Sequence, residues 1–315
     1  MSNPLISICV PAYKKPEFVV RLLDAVLRQS YKQVEVILSD DSPDDGVKIA
    51  IEPYKTELRI QYYQNTPALG SPKNWNGAIE KATGDYFMLL HQDDWFNDEH
   101  ALAKYIAAFE KNPSAGFVFC KNTAISEQGN SMVLQYIPSL LPELNKRPLH
   151  LLLANVIGPP SNTMLKAAVK KEVQYEERFI WLVDVDYYVH VLQKGYTYVY
   201  LDEHLVSIGL HDDQTTVFCR ENDEIILKEN ILFAQKIGTT AFRDLKIYDY
   251  YWRLLRNHEV RTEAVMVNSG VEPVEILPVL RHMLKWQQKV PLRLLRMGVV
   301  SKTFMFLNYL VSPTA

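Results

Sequence analysis

Acidic side chains follow two apolar, strand-like segments of the sequence. The apolar run at 86–90 leads into His91-Gln92-Asp93-Asp94, and the run at 34–38 leads into Ser39-Asp40-Asp41. Carboxylates that meet at one crevice repel one another unless a cation or a hydrogen-bonding ligand lies between them. A divalent cation held by Asp93 or Asp94 can bridge two phosphate oxygens. The pattern therefore predicts a metal-assisted phosphate site, or alternatively a helix N-cap at the same pair.

Residues at two other predicted strand ends could bind a nucleotide base. The carboxylate of Asp41 can accept a hydrogen bond from a nucleobase imide N–H, which suits uracil or thymine. The same Ser-Asp-Asp-Ser-Pro segment also fits an Asx-type turn. Tyr13, just beyond the first apolar run, can stack on a base or lie at the edge of the core. Both alternatives stay open for each residue.

Phosphate binding has no glycine-rich loop to rely on, since the sequence contains neither a Walker nor a Rossmann glycine pattern. We therefore expect a metal, Lys73, Asn76 and backbone N–H groups to bind phosphate. This departure argues against kinases and dehydrogenases. A sugar nucleotidyltransferase is a rival of similar fold, but it needs a glycine-rich N-terminal loop, and residues 10–20 contain no glycine.

Acid–base chemistry has candidates later in the chain. Asp184 and Asp186 lie on a predicted helix that begins near Trp181, and residues two apart do not share a helix face. One of them can act as a general base, or both are solvated or capping residues. His211, in a predicted loop, is a candidate metal ligand or a structural histidine.

These residues need a scaffold of strands alternating with helices, and residues 5–120 supply that pattern. The alternation predicts a mostly parallel twisted sheet covered by helices on both faces, in which ligands bind beyond the carboxyl ends of the strands. A helix at 182–193, a strand at 197–201 and helices from about 221 onward follow. Predicted strands lie at 5–10, 34–38, 59–63, 86–90 and 116–120, and predicted helices at 17–29, 47–56, 74–82 and 98–111.

Composition narrows the class of protein. The 315 residues are 48% hydrophobic and 23% charged, as expected for a folded globular protein. A net charge of −3 argues against a nucleic-acid binder. Three well-separated cysteines (Cys9, Cys120 and Cys219) and no recognisable signal peptide predict reduced thiols in a cytoplasmic protein.

The last forty residues have an unusual charge pattern. From Ile276 to Ala315 there are six basic residues and no acidic one, interleaved with apolar residues that include Trp286. A basic amphipathic segment of this kind predicts a helix lying on anionic lipid, a subdomain packed on the catalytic core, or a dimer contact.

Together these residues resemble the family 2 inverting glycosyltransferases, which have the GT-A nucleotide-diphospho-sugar fold. The resemblance covers residues 5–212 and is strongest over 5–125. It implies a GT-A catalytic domain at 1–220, with a donor half at 1–125 and an acceptor half at 126–220, and a helical C-terminal region at 221–315. The matching segments, in the family's order and spacing, are Ile6–Tyr13, Leu27–Tyr31, Val34–Asp45, Asn76–Tyr86 and Leu90–Asp94.

The resemblance also implies roles for individual residues. Asp184 corresponds to the family's catalytic base, although Val183 replaces the acidic residue that usually precedes it. Asp93 and His211 are the implied metal ligands, with His91 standing where the family has a first acidic residue. Ser161 falls in an acceptor-side loop. The predicted donor-binding residues are Pro11, Ala12, Tyr13, Asp41, Lys73, Asn76, Gln92 and Asp93.

The implied function is an inverting glycosyltransferase of the hexosyltransferase type (EC 2.4) with Mn²⁺ or Mg²⁺ as cofactor. We expect a UDP-sugar donor and a saccharide or lipid-linked saccharide acceptor, in cell-surface polysaccharide or glycan synthesis. The expected location is the cytoplasm or the inner face of the cytoplasmic membrane, with membrane or homodimer contact through 276–315. The altered residues His91 and Val183 keep a non-catalytic nucleotide-sugar-binding scaffold as the alternative.

Overall fold

A computed structural model of the chain describes residues 3–126, 128–133 and 138–312. Residues 1–2, 127, 134–137 and 313–315 of the predicted domains lie outside the described residues. The chain forms two compact units. The first contains Met1–Asn145, Val156–Glu177 and Asp186–Asp212, and the second contains Lys146–Asn155, Arg178–Val185 and Asp213–Ala315.

The first unit opens with four parallel strands. Apolar residues in the runs at 6–12, 34–40 and 86–89 are buried on both faces of the sheet, as parallel strands require, whereas the edge run at 59–64 is only half-buried. In register, Ala12 lies opposite Asp40 and Cys9 opposite Leu89, so the strand ends meet at one edge. The elements are β1 (Ile6–Ala12), α1 (Pro16–Leu27), β2 (Val34–Asp40), α2 (Gly46–Ile51), β3 (Arg59–Gln64), α3 (Lys73–Glu80) and β4 (Tyr86–Leu89).

The rest of the first unit extends the sheet with mixed polarity. The strand order is β3-β2-β1-β4-β8-β6-β9-β5, and β8 runs antiparallel to both β4 and β6. The predicted α/β sheet flanked by helices is confirmed, but half of the strand pairs in the described sheet are antiparallel. The added elements are β5 (Trp95–Phe96), α4 (Ala101–Lys111), β6 (Ala115–Ser126), β7 (Ser131–Val133), β8 (Thr163–Lys166), α5 (Val183–Gln193) and β9 (Thr197–Leu210).

Several strands differ from the sequence prediction: β6 and β9 are longer than expected, and β5, β7 and β8 were not predicted. The strand expected at 197–201 continues as β9 to Leu210, because residues 204–210 pair with β6 beyond two register shifts. His211 therefore follows directly on a strand end. β8 was not predicted, since its four residues are too few to show a period.

The second unit is helical, as predicted for the region beyond 221. Prolines begin its elements: Pro278 lies in the first turn of one helix and Pro291 directly precedes another. Its core includes the fully buried Trp252, Tyr248 and Tyr251. The helices are α6 (Thr215–Arg220), α7 (Asp223–Ile237), α8 (Leu245–Asn257), α9 (Glu263–Asn268), α10 (Pro278–Gln287), α11 (Leu292–Leu295) and α12 (Gly298–Leu310). Among the described helices, none combines the length and hydropathy needed to cross a bilayer.

Candidate functional site

The ends of β1 and β4 are joined by one side chain. Gln92 accepts a hydrogen bond from the backbone N–H of Tyr13 and donates one to its carbonyl, each 3.0 Å long. After Tyr13 the chain passes through Lys14 and Lys15 at φ 54° and 49°, a left-handed turn that leads into α1. These contacts leave the Tyr13 ring 52% exposed at the strand edge.

Asp41 is held firmly at the end of β2. Its Oδ1 accepts hydrogen bonds from the Asn65 side chain (2.9 Å) and the Leu69 N–H (3.0 Å), and Oδ2 accepts one from the Gly70 N–H (2.8 Å). A carboxylate has about four lone-pair positions, so within the described chain Oδ2 keeps one position for a further donor. Asp40 is buried like Asp41, and its carboxylate accepts a hydrogen bond from the Tyr62 hydroxyl at 2.7 Å.

Asp93 lies beside two cationic or potentially cationic groups. His211 Nε2 is 3.0 Å from its Oδ2, and the Arg21 guanidinium donates to its backbone carbonyl at 2.7 Å while stacking 3.8 Å from the Trp95 ring. Burial alone would raise the pKa of the Asp93 carboxyl, but the hydrogen bond from His211, a backbone hydrogen bond and the nearby imidazoles together outweigh burial, so the pKa is lowered. Asp93 is therefore the ionised carboxylate of the pair.

Asp94 has a different environment. It is 2% exposed, accepts a 2.5 Å hydrogen bond from Ser161 Oγ and accepts a 3.2 Å bond from the Gly209 N–H. Ser161 Oγ in turn accepts from the His91 N–H at 3.0 Å. Burial raises the pKa of Asp94 well above its usual range, and the charge of Asp93 raises it further. Asp94 thus joins the end of β4 to β9 and to the loop before β8.

Gly209 allows the close approach of β9 to Asp93. A Cβ atom on Gly209 would lie 2.4 Å from the backbone oxygen of Asp93 and 3.3 Å from the Arg21 guanidinium. No other residue type fits this position without moving the Asp93 backbone.

His91 completes a cluster suited to a metal ion. His91, Asp93 and Asp94 each offer a ligand atom, and these atoms lie within 4.8 Å of one another. Among the residues that the structure describes, His91 Nε2 is buried with no hydrogen-bond partner. Burial lowers the pKa of His91, so its imidazole is neutral and able to coordinate. An ionised carboxylate beside imidazole nitrogens could hold a divalent cation, and the nitrogen ligands suit a transition ion better than Mg²⁺, which prefers oxygen.

Replacing His91 with aspartate is expected to create a stronger metal dependence of stability. Three carboxylates would then share one partly buried cluster, so the metal-free His91→Asp protein should melt several degrees below wild type, and Mg²⁺ or Mn²⁺ should restore it. Thermal melting with and without each ion measures this. His91→Asn, which removes the imidazole without adding charge, is the control. An equal response to metal in both variants would contradict the cluster as the binding site.

Two predicted phosphate contacts have different surroundings. Lys73 is exposed at the start of α3. The Asn76 side chain donates to the Tyr175 carbonyl at 2.8 Å and accepts from its N–H at 2.9 Å, so both ends of its amide are engaged. These contacts fix the position of the segment around Tyr175. Pro11 and Ala12 lie at the end of β1, with Ala12 buried.

Asp184 and Asp186 fall into different units. Asp186 belongs to the first unit, and its Oδ2 lies 3.4 Å from His190 Nδ1. Asp184 belongs to the second unit, and its Oδ1 is buried without a hydrogen-bond partner in the described part of the chain. Burial raises the pKa of Asp184 to about 7.

The segment directly before α5 is held by Glu229, a residue of α7 in the same unit as Asp184. The Glu229 carboxylate is buried and accepts backbone hydrogen bonds from Ile180 (2.8 Å), Trp181 (2.9 Å) and Leu182 (2.9 Å). A negative charge at a helix N-terminus is stabilised by otherwise unpaired N–H groups and the helix dipole. This contact fixes the backbone just ahead of Asp184.

Replacing Glu229 with glutamine is expected to lower the free energy of unfolding by about 2 kcal/mol, because a neutral amide has one acceptor oxygen for three buried N–H groups. Urea unfolding followed by circular dichroism measures the loss. Glu224→Gln, an exposed change on the same helix, should leave stability nearly unchanged. Equal stability of the two variants would mean that the cap contributes little.

Three site residues were missed or only partly understood from sequence. Arg21 is the one basic residue of α1, whose other charged residues are Glu17 and Asp24, and this is the only signal it gives. Ser161 was placed in an acceptor-side loop, whereas its hydroxyl contacts Asp94. Glu229 gives no local signal, since it acts on residues nearly fifty positions away.

Comparison with known proteins adds independent findings. The family described as "Glycosyl transferase family 2" matches residues 7–171, just over half of the chain. The amylovoran biosynthesis glycosyltransferase AmsB of Erwinia amylovora is 28% identical over 217 residues, covering 66% of this chain and 70% of that protein. The GalNAc(5)-diNAcBac-PP-undecaprenol beta-1,3-glucosyltransferase of Campylobacter jejuni is 20% identical over 296 residues, covering 88% and 93%.

A solved structure is similar over nearly the whole chain. The mannosyltransferase PcManGT from Pyrobaculum calidifontis, in complex with GDP-Man and Mn²⁺, superposes with a TM-score of 0.58 at 15% identity, covering 98% of this chain and 86% of that one. At this identity the likeness concerns the fold, and it confirms the GT-A architecture.

Proposed function

The chain belongs to glycosyl transferase family 2, and on that basis we propose that it transfers a hexosyl group from a UDP-sugar to a saccharide or lipid-linked saccharide hydroxyl with inversion. The observation that carries this proposal is the strand-end cluster in which the ionised Asp93 lies beside His211 and close to His91. It is the arrangement that a diphosphate leaving group with a divalent ion requires.

Donor recognition would use the strand ends of the first unit. The remaining acceptor position on Asp41 Oδ2 suits the imide N–H of uracil, and the half-exposed Tyr13 ring offers a surface on which a base can stack. Pro11 and Ala12 would line the nucleoside pocket, with Lys73 near the phosphates. The engaged amides of Gln92 and Asn76 suggest that these two act by positioning Tyr13 and Tyr175.

The proposed reaction is a single displacement. Asp184 would take the proton of an acceptor hydroxyl, the acceptor oxygen would form a bond to the anomeric carbon, and the bond from that carbon to the diphosphate oxygen would break. The electron pair leaves with the nucleoside diphosphate. A divalent cation, Mn²⁺ in preference to Mg²⁺, neutralises charge on the departing diphosphate when bound at Asp93 and His211, with His91. A buried, unpartnered carboxylate oxygen supports the role of Asp184 as the base.

The acceptor and location are proposals of the same kind. The Campylobacter jejuni relative is named for an undecaprenol-linked substrate and the Erwinia amylovora relative for a polysaccharide. We infer an acceptor in cell-surface glycan synthesis, used at the inner face of the cytoplasmic membrane.

A donor screen tests the proposal. Thermal melting with UDP-, GDP- and dTDP-sugars in Mn²⁺ should show stabilisation by UDP-sugars, and the stabilising donor should be hydrolysed slowly with release of UDP. Chelation of the metal should abolish both effects. Stabilisation without release of nucleotide, with or without saccharide acceptors, would favour a binding scaffold over an enzyme.

A further inference from the structure

The last described helix, α12, buries two of its polar residues, Ser301 and Asn308. Its buried positions are Ser301, Met305 and Asn308, which recur at helical spacing on one face. Ser301 Oγ accepts hydrogen bonds from Trp252 Nε1 (3.1 Å) and Arg256 Nη1 (2.9 Å). Asn308 accepts one from the Tyr248 hydroxyl at 2.5 Å. A hydrogen-bonded seam therefore docks α12 on α8.

The opposite face of α12 is apolar and exposed. Half of the exposed large hydrophobic side chains in the described chain lie between 294 and 311. A soluble surface helix normally has the reverse pattern, with apolar residues facing its own core. We call this region the C-terminal apolar surface; its residues and exposed fractions are Leu294 (47%), Met297 (55%), Val299 (82%), Phe306 (47%), Leu307 (46%), Leu310 (55%) and Val311 (59%).

Six basic residues lie in the same segment as this surface, and two of them, Arg281 and Lys285, line a pocket together with Val311. Arg281 is paired with Glu263 and Arg296 with Glu259. The other four basic residues of the segment make no salt bridge with any described residue, and no acidic residue follows Glu275. Lys302 lies between Val299 and Phe306 on the exposed side of α12. The four exposed basic residues are Lys285, Lys289, Arg293 and Lys302.

We propose that the C-terminal apolar surface inserts into the interface of an anionic lipid bilayer. Its apolar residues would enter the boundary between headgroups and acyl chains, while the four unpaired basic residues contact anionic headgroups. A second copy is a poorer occupant, because a symmetric contact would place the same basic rim on both sides. Lipid binding requires no sugar donor, so this inference stands apart from the proposed reaction.

Vesicle flotation of the full chain tests the inference. The protein should partition onto phosphatidylcholine vesicles containing phosphatidylglycerol, bind weakly to phosphatidylcholine alone, and dissociate as salt is added. The double variant Phe306→Gln/Leu310→Gln should lower the partition coefficient at least about tenfold. Lys302→Glu should lower it about fivefold or more.

Matched controls separate this surface from general stickiness. Val274→Gln removes another exposed apolar side chain of the same unit, which is 87% exposed, and Lys111→Glu makes the same charge change elsewhere; neither should alter partitioning. Circular dichroism checks that each variant is folded. Equal binding to neutral vesicles, or unchanged binding by the double variant, overturns the inference. The inference is also overturned if wild type forms a dimer and does not bind vesicles while the double variant is a monomer, since this result assigns the surface to a second copy.

Discussion

Replacing Asp93 with asparagine is expected to lower kcat at least about 100-fold, the size of effect seen when one preorganised electrostatic contact is removed. Asp93 is the ionised member of the carboxylate pair and the partner of His211 at 3.0 Å. A carboxamide keeps the shape but supplies no negative charge for a divalent ion. Affinity for the donor in the presence of Mn²⁺ should fall as well. Steady-state kinetics and calorimetric titration of the donor measure the two effects.

The neighbouring carboxylate provides a matched control. Asp94 is buried, hydrogen-bonded to Ser161 and Gly209, and has a raised pKa, so a neutral side chain resembles its own preferred state. Asp94→Asn should therefore retain much more activity than Asp93→Asn, with any loss accompanied by a lower melting temperature. If the two variants lost activity equally, or if Asp93→Asn stayed near wild type, the assignment of the ligand would be wrong.

The early part of the fold can be predicted from sequence because its signals are local. β1, β2 and β4 are each a short apolar run that ends in a proline or a polar turn, β3 is a less apolar edge strand, and each following helix shows its own period. The parallel arrangement then brings Tyr13, Asp41 and Asp93 to one edge without further information. The sequence could therefore predict that the candidate metal-binding and nucleotide-binding residues lie close together.

The remainder depends on contacts that no local pattern reports. β8 is four residues long and pairs with β4 and β6 from far along the chain. The bond from Ser161 to Asp94 spans 67 positions and the bond from Gly209 to Asp94 spans 115. The sequence identifies Asp93 and Asp94 as an acidic pair. Only the contacts with distant residues show that Asp93 is ionised and that Asp94 links β4 to other parts of the sheet.

Replacing Asp184 with asparagine is expected to lower kcat about 100-fold or more, within the range for loss of a general base, while the KM for donor changes little. The pH dependence provides a second signature. Burial raises the pKa of Asp184 to about 7, so wild-type kcat should rise as pH increases through about 7 and then level off. The asparagine variant should lack this rise in its residual rate.

The same pKa shift predicts that Asp184→Asn is more stable than wild type above neutral pH. With a folded-state pKa near 7 and an unfolded value of about 3.9, the folded chain binds the extra proton between these values. Wild-type stability should therefore fall as pH rises from about 4 to about 7, because a buried carboxylate must ionise. Asp184→Asn removes that cost and should melt above wild type at pH values beyond about 7, with the difference vanishing in acid.

Asp186→Asn is the control on the same helix. Its carboxylate is fully buried near His190, so its replacement should lower the melting temperature rather than raise it. A catalytic base held in a desolvated, unpartnered state costs stability that an inert residue does not. If Asp184→Asn loses turnover but gains no stability above neutral pH, Asp184 is essential for the reaction, but burial is not the cause of its raised pKa. One that gains stability and keeps turnover would move the base elsewhere.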